Sequence, residues 1–130
     1  MTSYTELHRD GASCERLARL HDDDANVPFV TRALEGSRGP VIAATDYVRA
    51  VPELIRAYVP RRYVTLGTDG FGRSDTRQAL RAFFEVDRVS IVIAALKSLV
   101  DEGVIEKTVL QAAREKYGKT QEAHDAPWMR

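Results

Sequence analysis

Two short apolar runs separated by a helical pattern constrain the fold of this 130-residue chain more than any other feature. The first run is PVIAA at residues 40–44, and the second is YVTL at residues 63–66. Short runs that are apolar throughout are typical of strands buried on both faces, as in parallel sheets. Between the runs, apolar residues recur at helical spacing, at Val48, Val51, Ile55 and Tyr58. The order strand, helix, strand predicts an α/β domain with a mainly parallel sheet.

The helix after the first strand is predicted to start at Thr45, Asp46 and Tyr47. Thr45 is a capping candidate, and Asp46 could stabilise the N-terminus of that helix electrostatically. Asp46 also follows a strand, at the edge where α/β proteins place functional groups, so a functional role stays open. Pro52 is expected to kink this helix because it removes a backbone donor.

Helices are also predicted in the second half of the chain. A helix with Leu80, Phe83 and Phe84 on one face is expected after a cap at Ser74 or Asp75. Residues 89–96 are rich in β-branched side chains, but their flanks favour one long helix that ends before Gly103. A last helix is predicted from about Glu106 to Tyr117, with Gly118 as its stop. Two helix-like patches precede the first strand, at residues 14–20 and 29–34.

The composition excludes several classes of protein. Nineteen basic and nineteen acidic side chains cancel, so the chain lacks the basic excess of proteins that bind nucleic acid or anionic membranes. Its longest apolar run, residues 91–96, is far shorter than the roughly 20 residues of a membrane-spanning helix. A single cysteine, Cys14, cannot form an internal disulfide and fits a reducing compartment. We therefore expect a soluble, cytoplasmic protein with no nucleic-acid partner and no membrane partner.

The residues alone suggest neither a metal site nor a catalytic group. The acidic stretch at residues 21–24 is a consecutive run, whereas calcium and magnesium sites need oxygens that converge from a defined loop. The histidines have no neighbouring serine or cysteine arranged to suggest a catalytic triad. Cys14 lies on an apolar helix-like face and is interpreted as a small core residue.

The most unusual segment follows the second strand and comprises Gly67, Thr68, Asp69, Gly70, Phe71, Gly72, Arg73, Ser74 and Asp75. Glycines between a strand and a helix let backbone donors approach an anion such as phosphate. The spacing matches neither of the familiar phosphate-binding fingerprints, however. Three interpretations stay open: a tight turn whose glycines take positive φ so that Phe71 can pack, an anion or ligand site, and an interface loop.

Two segments at the predicted strand ends carry a family resemblance. They are the unbroken Thr68-Asp69-Gly70-Phe71-Gly72-Arg73-Ser74-Asp75 and the preceding Thr45-Asp46-Tyr47. These segments are the most specific part of a resemblance that extends over residues 3–118. The chain closely resembles the C-terminal domain of the homodimeric type of bacterial pyruvate dehydrogenase decarboxylating component. Residues 119–130 fall outside the resemblance.

The resemblance implies a transketolase C-terminal fold, which is a three-layer α/β/α domain with a mainly parallel sheet. It implies thiamine diphosphate and magnesium as cofactors of the complete enzyme, bound between two other domains at the dimer interface. We therefore expect no catalytic, cofactor-binding or metal-binding residue in this chain. The implied partners are the remaining domains of the decarboxylating component, or a second copy in a homodimer, and the dihydrolipoyl acetyltransferase core.

Two functional hypotheses follow. In the first, the chain is the C-terminal part of an enzyme that oxidatively decarboxylates pyruvate and passes acetyl to lipoyl groups, and this part serves assembly and support. Such a part should expose apolar interface, and Arg73 and Asp75 should serve interdomain contacts. In the alternative, the chain is a free-standing small-ligand-binding or regulatory module that uses loop 67–75. We expect lead-in helices and a linker at residues 1–38, an α/β domain at 39–118 and a polar tail at 119–130.

Overall fold

The computed structural model describes residues 3–21, 25–119 and 125–129. Helices α1 (Tyr4–His21) and α2 (Phe29–Glu35) precede strand β1 (Val41–Val48). A short helix α3 (Ala50–Glu53) and a 3-10 turn (Arg56–Tyr58) lead to strand β2 (Tyr63–Thr68). Helices α4 (Arg77–Phe83), α5 (Arg88–Asp101) and α6 (Lys107–Lys116) follow, and a second 3-10 turn covers Pro127–Met129.

The two strands pair in parallel, which confirms the predicted α/β class. Val41 lies opposite Tyr63, and the register is regular as far as Ala44 opposite Leu66. The register then shifts, so that Val48 lies opposite Thr68. Within the described residues, β1 and β2 form a two-stranded sheet, and the second edge of β1 pairs with no strand there.

The core lies between the sheet and the N-terminal helices. Its buried members are Val30, Ala43, Ile55, Tyr58, Val59 and Tyr63. Tyr4 and Leu7 of α1 and Leu34 of α2 pack against this cluster. Ala44 points to the opposite face from Ala43 because side chains alternate along a strand, and it lines a cleft with Ile91 of α5. Helices α1 and α2 therefore pack on one face of the sheet, and α5 lies beside the other face.

A polar network joins α3 to β2 at the edge of this core. Arg56 donates two hydrogen bonds to the Glu53 carboxylate, at 2.5 and 2.7 Å, and Thr65 donates a further short one. These donors hold the pKa of Glu53 at about 2, below its usual 4.5, with the Arg56 hydrogen bond the largest cause. Arg56 also donates to the backbone carbonyl of Tyr63, whose hydroxyl donates to the carbonyl of Pro52.

Most of the predicted helices are confirmed. Residues 89–96 belong to α5, whose N-cap Asp87 accepts a hydrogen bond from the backbone N–H of Ser90. Gly103 and Gly118 follow α5 and α6 with φ of 71° and 65°, as expected for helix stops. The first helix-like patch is part of the longer helix α1.

The predicted helix start at Thr45, Asp46 and Tyr47 is wrong. All three residues lie in β1, and the next helix begins only at Ala50. Parallel pairing is interrupted between Ala44 and Val48 and resumes beyond them, where the N–H of Arg49 donates to the carbonyl of Thr68 at 2.9 Å. Strand pairing on both sides of this stretch therefore keeps it extended despite the local capping signal of Thr45. Val48, predicted to face the core on a helix, is likewise a half-exposed strand residue.

Some sequence-based expectations lie outside the described residues. They concern Asp22, Asp23 and Asp24 of the acidic stretch, and residues 120–124 and 130 of the predicted polar tail. In the described ranges, no helix combines the length and the apolar character needed to cross a bilayer.

Candidate functional site at the strand ends

Both segments that carry the family resemblance meet at one edge of the molecule. The carboxyl ends of parallel strands share an edge of the sheet, so Asp46 in β1 lies beside the loop that leaves β2. The hydroxyl of Thr68 donates to the carbonyl of Asp46 at 3.1 Å and ties the two segments together. The sequence alone does not predict this contact.

The loop from Gly67 to Asp75 needs glycine at two of its three glycine positions. A methyl group on Gly67 would come within 2.8 Å of the Arg49 Cα, so the backbones approach too closely for a side chain. Gly70 has φ of 81°, and its N–H donates to the carboxylate of Asp69 at 3.0 Å. Gly72 has open space around its Cα. The predicted positive φ is thus confirmed at Gly70.

Phe71 does not pack, contrary to the tight-turn interpretation. Its side chain is 96% exposed, which is the largest exposure among the large apolar residues of the described chain. Gly70 and Gly72 flank it and provide no side chain that could cover the ring. Tyr47, at the end of β1, is also 69% exposed. The strand ends therefore present apolar surface to solvent.

Arginines pair with both carboxylates at the strand ends, Asp46 and Asp69. Arg81 of α4 donates two hydrogen bonds to Asp46, at 2.9 and 2.6 Å. These bonds, reinforced by the nearby charge of Arg77, lower the pKa of the Asp46 carboxyl. Arg49 forms an ion pair with Asp69 at 3.1 Å. Asp46 thus holds α4 against β1 instead of capping a helix.

The last part of the loop leads into α4. The guanidinium of Arg73 lies 4.7 Å from the centre of the Phe83 ring, in a cation–π contact. Neither Ser74 nor Asp75 is the N-cap of α4, because Thr76 has that role and accepts a hydrogen bond from the N–H of Ala79. Asp75 instead accepts from the N–H of Thr76. The predicted helix is present, but its cap lies one residue after the later of the two predicted candidates.

Two clefts flank α4 at this edge. One, of about 970 Å³, lies between β1, α4 and the start of α5, and the other, of about 450 Å³, lies between α4 and the loop. Both are open to solvent, and both are lined by Asp46, Arg77 and Arg81. In the described ranges, no three His, Cys, Asp or Glu side chains form a group that could hold a metal ion. The side chains at this edge are suited to ionic and apolar contacts.

Sequence analysis missed Arg77 and Arg81 as members of this site. Their separation of four residues places both on one face of a helix, which is the signal that could have identified them as a pair. Nothing in the local sequence indicated that this face would meet Asp46, thirty-five positions away from Arg81.

Comparison with known proteins places this edge in a family context. The family model described as "Transketolase-like TK C-terminal domain" matches residues 1–87, which include β1, β2 and the whole loop. Over 116 residues, the chain is 56% identical to the pyruvate dehydrogenase E1 component of Cupriavidus necator, covering 88% of this chain. The proteins of the same name from Mycobacterium tuberculosis and Escherichia coli K12 are 53% and 45% identical, each over 90% of the chain. The chain spans only 13% of the length of each relative.

Proposed function

The chain belongs to the transketolase-like C-terminal domain family, and from this membership we propose that it is the C-terminal part of a pyruvate dehydrogenase decarboxylating component. The observation that carries the proposal is the high identity to proteins of that name over nearly the whole chain. In this proposal, the complete enzyme oxidatively decarboxylates pyruvate and passes acetyl to lipoyl groups of the dihydrolipoyl acetyltransferase core. The present chain contributes assembly and support.

The proposed enzyme uses thiamine diphosphate and magnesium, and we propose that both bind outside this chain. In support, no three His, Cys, Asp or Glu side chains of the described residues form a group that could hold a metal ion. The two carboxylates at the strand ends, Asp46 and Asp69, are already paired with arginines. We therefore assign no chemical step to this chain.

Two features of the fold support a role in assembly. Exposed sheet edges are usually short, charged or covered, yet within the described residues the largely apolar strand β1 pairs with a strand on one edge only. Tyr47, Val48 and Phe71 expose apolar surface at the strand ends, as expected of a part that contacts other domains. We propose that the covering surface comes from the remaining domains, in a cytoplasmic homodimer.

The alternative function, a free-standing small-ligand-binding or regulatory module, has less support. Ligand sites usually enclose most of the surface of a small ligand, whereas both clefts at loop 67–75 are open to solvent. Ligand binding by the isolated chain would nevertheless favour this alternative.

A chimeric enzyme tests the proposed function. The matched region of the Cupriavidus necator relative is replaced by this chain, and pyruvate-dependent turnover is measured with thiamine diphosphate and magnesium. We expect turnover within about tenfold of the unaltered relative. The matched control is the same relative with the region deleted, which should lose activity. A folded, dimeric chimera without pyruvate-dependent turnover would contradict the proposal.

A further inference from the structure

The two clefts beside α4 form one continuous surface. They share the side chains of Asp46, Arg77, Arg81 and Val86. The smaller cleft reaches Gly72, next to Phe71, and the larger one reaches Arg88 at the first turn of α5. We call the surface made by Phe71, Arg77, Arg81 and Arg88 the strand-end surface.

The strand-end surface carries unused positive charge. The nearby carboxylates already have hydrogen-bond donors: Asp46 accepts from Arg81, and Asp87 accepts from the backbone N–H of Ser90 at the start of α5. In the part of the chain that the structure describes, the exposed side chains of Arg77 and Arg88 make no hydrogen bond and no salt bridge, although the charge of Arg77 acts on Asp46. Each guanidinium offers five N–H donors in a planar fork that matches a carboxylate.

The shape of this surface favours a protein partner over a small ligand. Its clefts are open and could not enclose a small anion. A fully exposed phenylalanine beside several arginines is instead the composition of interface hot spots, where aromatic residues and arginine are enriched. Charge complementarity then requires carboxylates on the partner, opposite the arginines. The partner must also provide an apolar pocket that covers the Phe71 ring.

We infer that the strand-end surface docks an acidic protein segment belonging to the rest of the decarboxylating component, with Phe71 in an apolar socket and Arg77 and Arg88 paired with carboxylates. This inference rests on the proposed function. The relatives supply the candidate partner, since the matched region is only 13% of their length. Arg81, held by Asp46, fixes α4 so that Arg77 faces the same partner.

Site-specific photocrosslinking in the chimeric enzyme tests the inference. Phe71 is replaced by p-benzoylphenylalanine, and the crosslinked peptides are identified by mass spectrometry. We expect a dominant crosslink to a segment outside the replaced region that contains Asp or Glu. The control places the same crosslinker at Val104, which is 64% exposed between α5 and α6 and distant in sequence from the loop. It should not capture that segment.

Paired arginine variants test the ionic part. Arg77→Ala combined with Arg88→Ala should lower the yield of the Phe71 crosslink about fivefold, and rising salt should lower it further. The matched control combines Arg16→Ala with Arg32→Ala, which removes the same charge from exposed positions on α1 and α2. This control should leave the yield unchanged.

Other outcomes would overturn the inference. They are a crosslink to a second copy of this chain, a yield no higher than at Val104, or an equal loss in both arginine pairs. Crosslinking does not depend on turnover, so the two proposals separate. If the chimera is active but gives no crosslink, the proposed function stands and the docking surface is rejected. If the chimera is inactive but gives the crosslink, the docking surface stands and the proposed function is rejected. An inactive chimera without it overturns both.

Discussion

Gly11 of α1 lies directly against the ring of Tyr58, so close that a methyl group at position 11 would come within 2.3 Å of the ring carbon Cε2. Gly11 is the buried residue of α1, and Tyr58 belongs to the core cluster. A glycine inside a helix ordinarily weakens it by roughly 0.5–1 kcal/mol relative to alanine. Here the glycine instead permits close packing of α1 against the core.

Gly11→Ala is therefore expected to destabilise the chain, although alanine is the better helix former. Overpacking against Tyr58 should lower the free energy of unfolding by about 1–3 kcal/mol, measured by chemical denaturation. The control is Gly36→Ala, where nothing lies within 4 Å of the added methyl group and φ is −79°. Equal free energies of unfolding for the two variants would show that the core can accommodate a methyl group between position 11 and the Tyr58 ring.

Gly70→Ala should also destabilise the chain, because Gly70 has φ of 81° and an alanine there is strained. The penalty for the left-handed region, roughly 1–2 kcal/mol, exceeds the usual gain from restricting the unfolded chain. We expect a lower melting temperature by calorimetry. Gly72→Ala, at an open position in the same loop, is the control and should leave the melting temperature nearly unchanged. An unchanged melting temperature for Gly70→Ala would refute the argument.

The Glu53 network should make stability depend on pH. In the folded chain the pKa of the Glu53 carboxyl is about 2, below the usual 4.5. The stabilisation that the ionised carboxylate gives the folded state is therefore complete above about pH 4.5 and is lost as the pH falls toward 2. Glu53→Gln should lower the free energy of unfolding at pH 7 by about 1–2 kcal/mol, after allowance for solvent screening of this partly exposed pair. The difference from the unaltered chain should shrink as the pH falls from 4.5 to 2.

Urea denaturation at pH 7 and at about pH 3 measures this difference. Glu115→Gln on α6 serves as the control, because Glu115 is exposed and has no ion pair within the described ranges. A difference between Glu53→Gln and the unaltered chain that stays constant with pH would contradict the role assigned to the carboxylate.

Arg81→Ala should loosen α4 without unfolding the chain. The helix has no buried residue, and the pair of hydrogen bonds from Arg81 to Asp46 is its described side-chain link to β1. We expect faster hydrogen exchange at the backbone amides of α4 and little change in those of α5. Arg77→Ala, one turn earlier, is the matched control and should leave the exchange rates of the α4 amides unchanged. Equal exchange in both variants would count against the Asp46 link.

The sequence could predict elements whose signals are local. The long helix α5 combined the Asp87 cap, continuous apolar residues and a glycine stop, and these signals agree with one another. The parallel pairing of β1 and β2 followed from two apolar runs separated by a helical stretch. The division into residues 1–38, 39–118 and 119–130 stays a prediction.

Contacts between distant segments could not be predicted in the same way. Thr45 and Asp46 have the composition of a helix start, but the paired residues on either side of them, Ala44 and Val48, keep them extended. Glu85 has φ of 57° without a glycine or asparagine signal, so the tight connection between α4 and α5 had no local marker. The exposure of Phe71 likewise depends on how the whole loop leaves the sheet.

The unpaired edge of β1 bears on how the chain behaves at high concentration. Natural sheets protect such edges with lysine, proline, bulges or short strands, because an open edge is a template for intermolecular pairing. Over its eight residues, β1 has Asp46 as its one charged side chain, and the register shift lies toward its carboxyl end. Its apolar first half, Val41 to Ala44, has no charged side chain and no bulge, so we expect intermolecular pairing there wherever this edge is left uncovered. Covering this edge would give the molecule colloidal stability as well as fold stability.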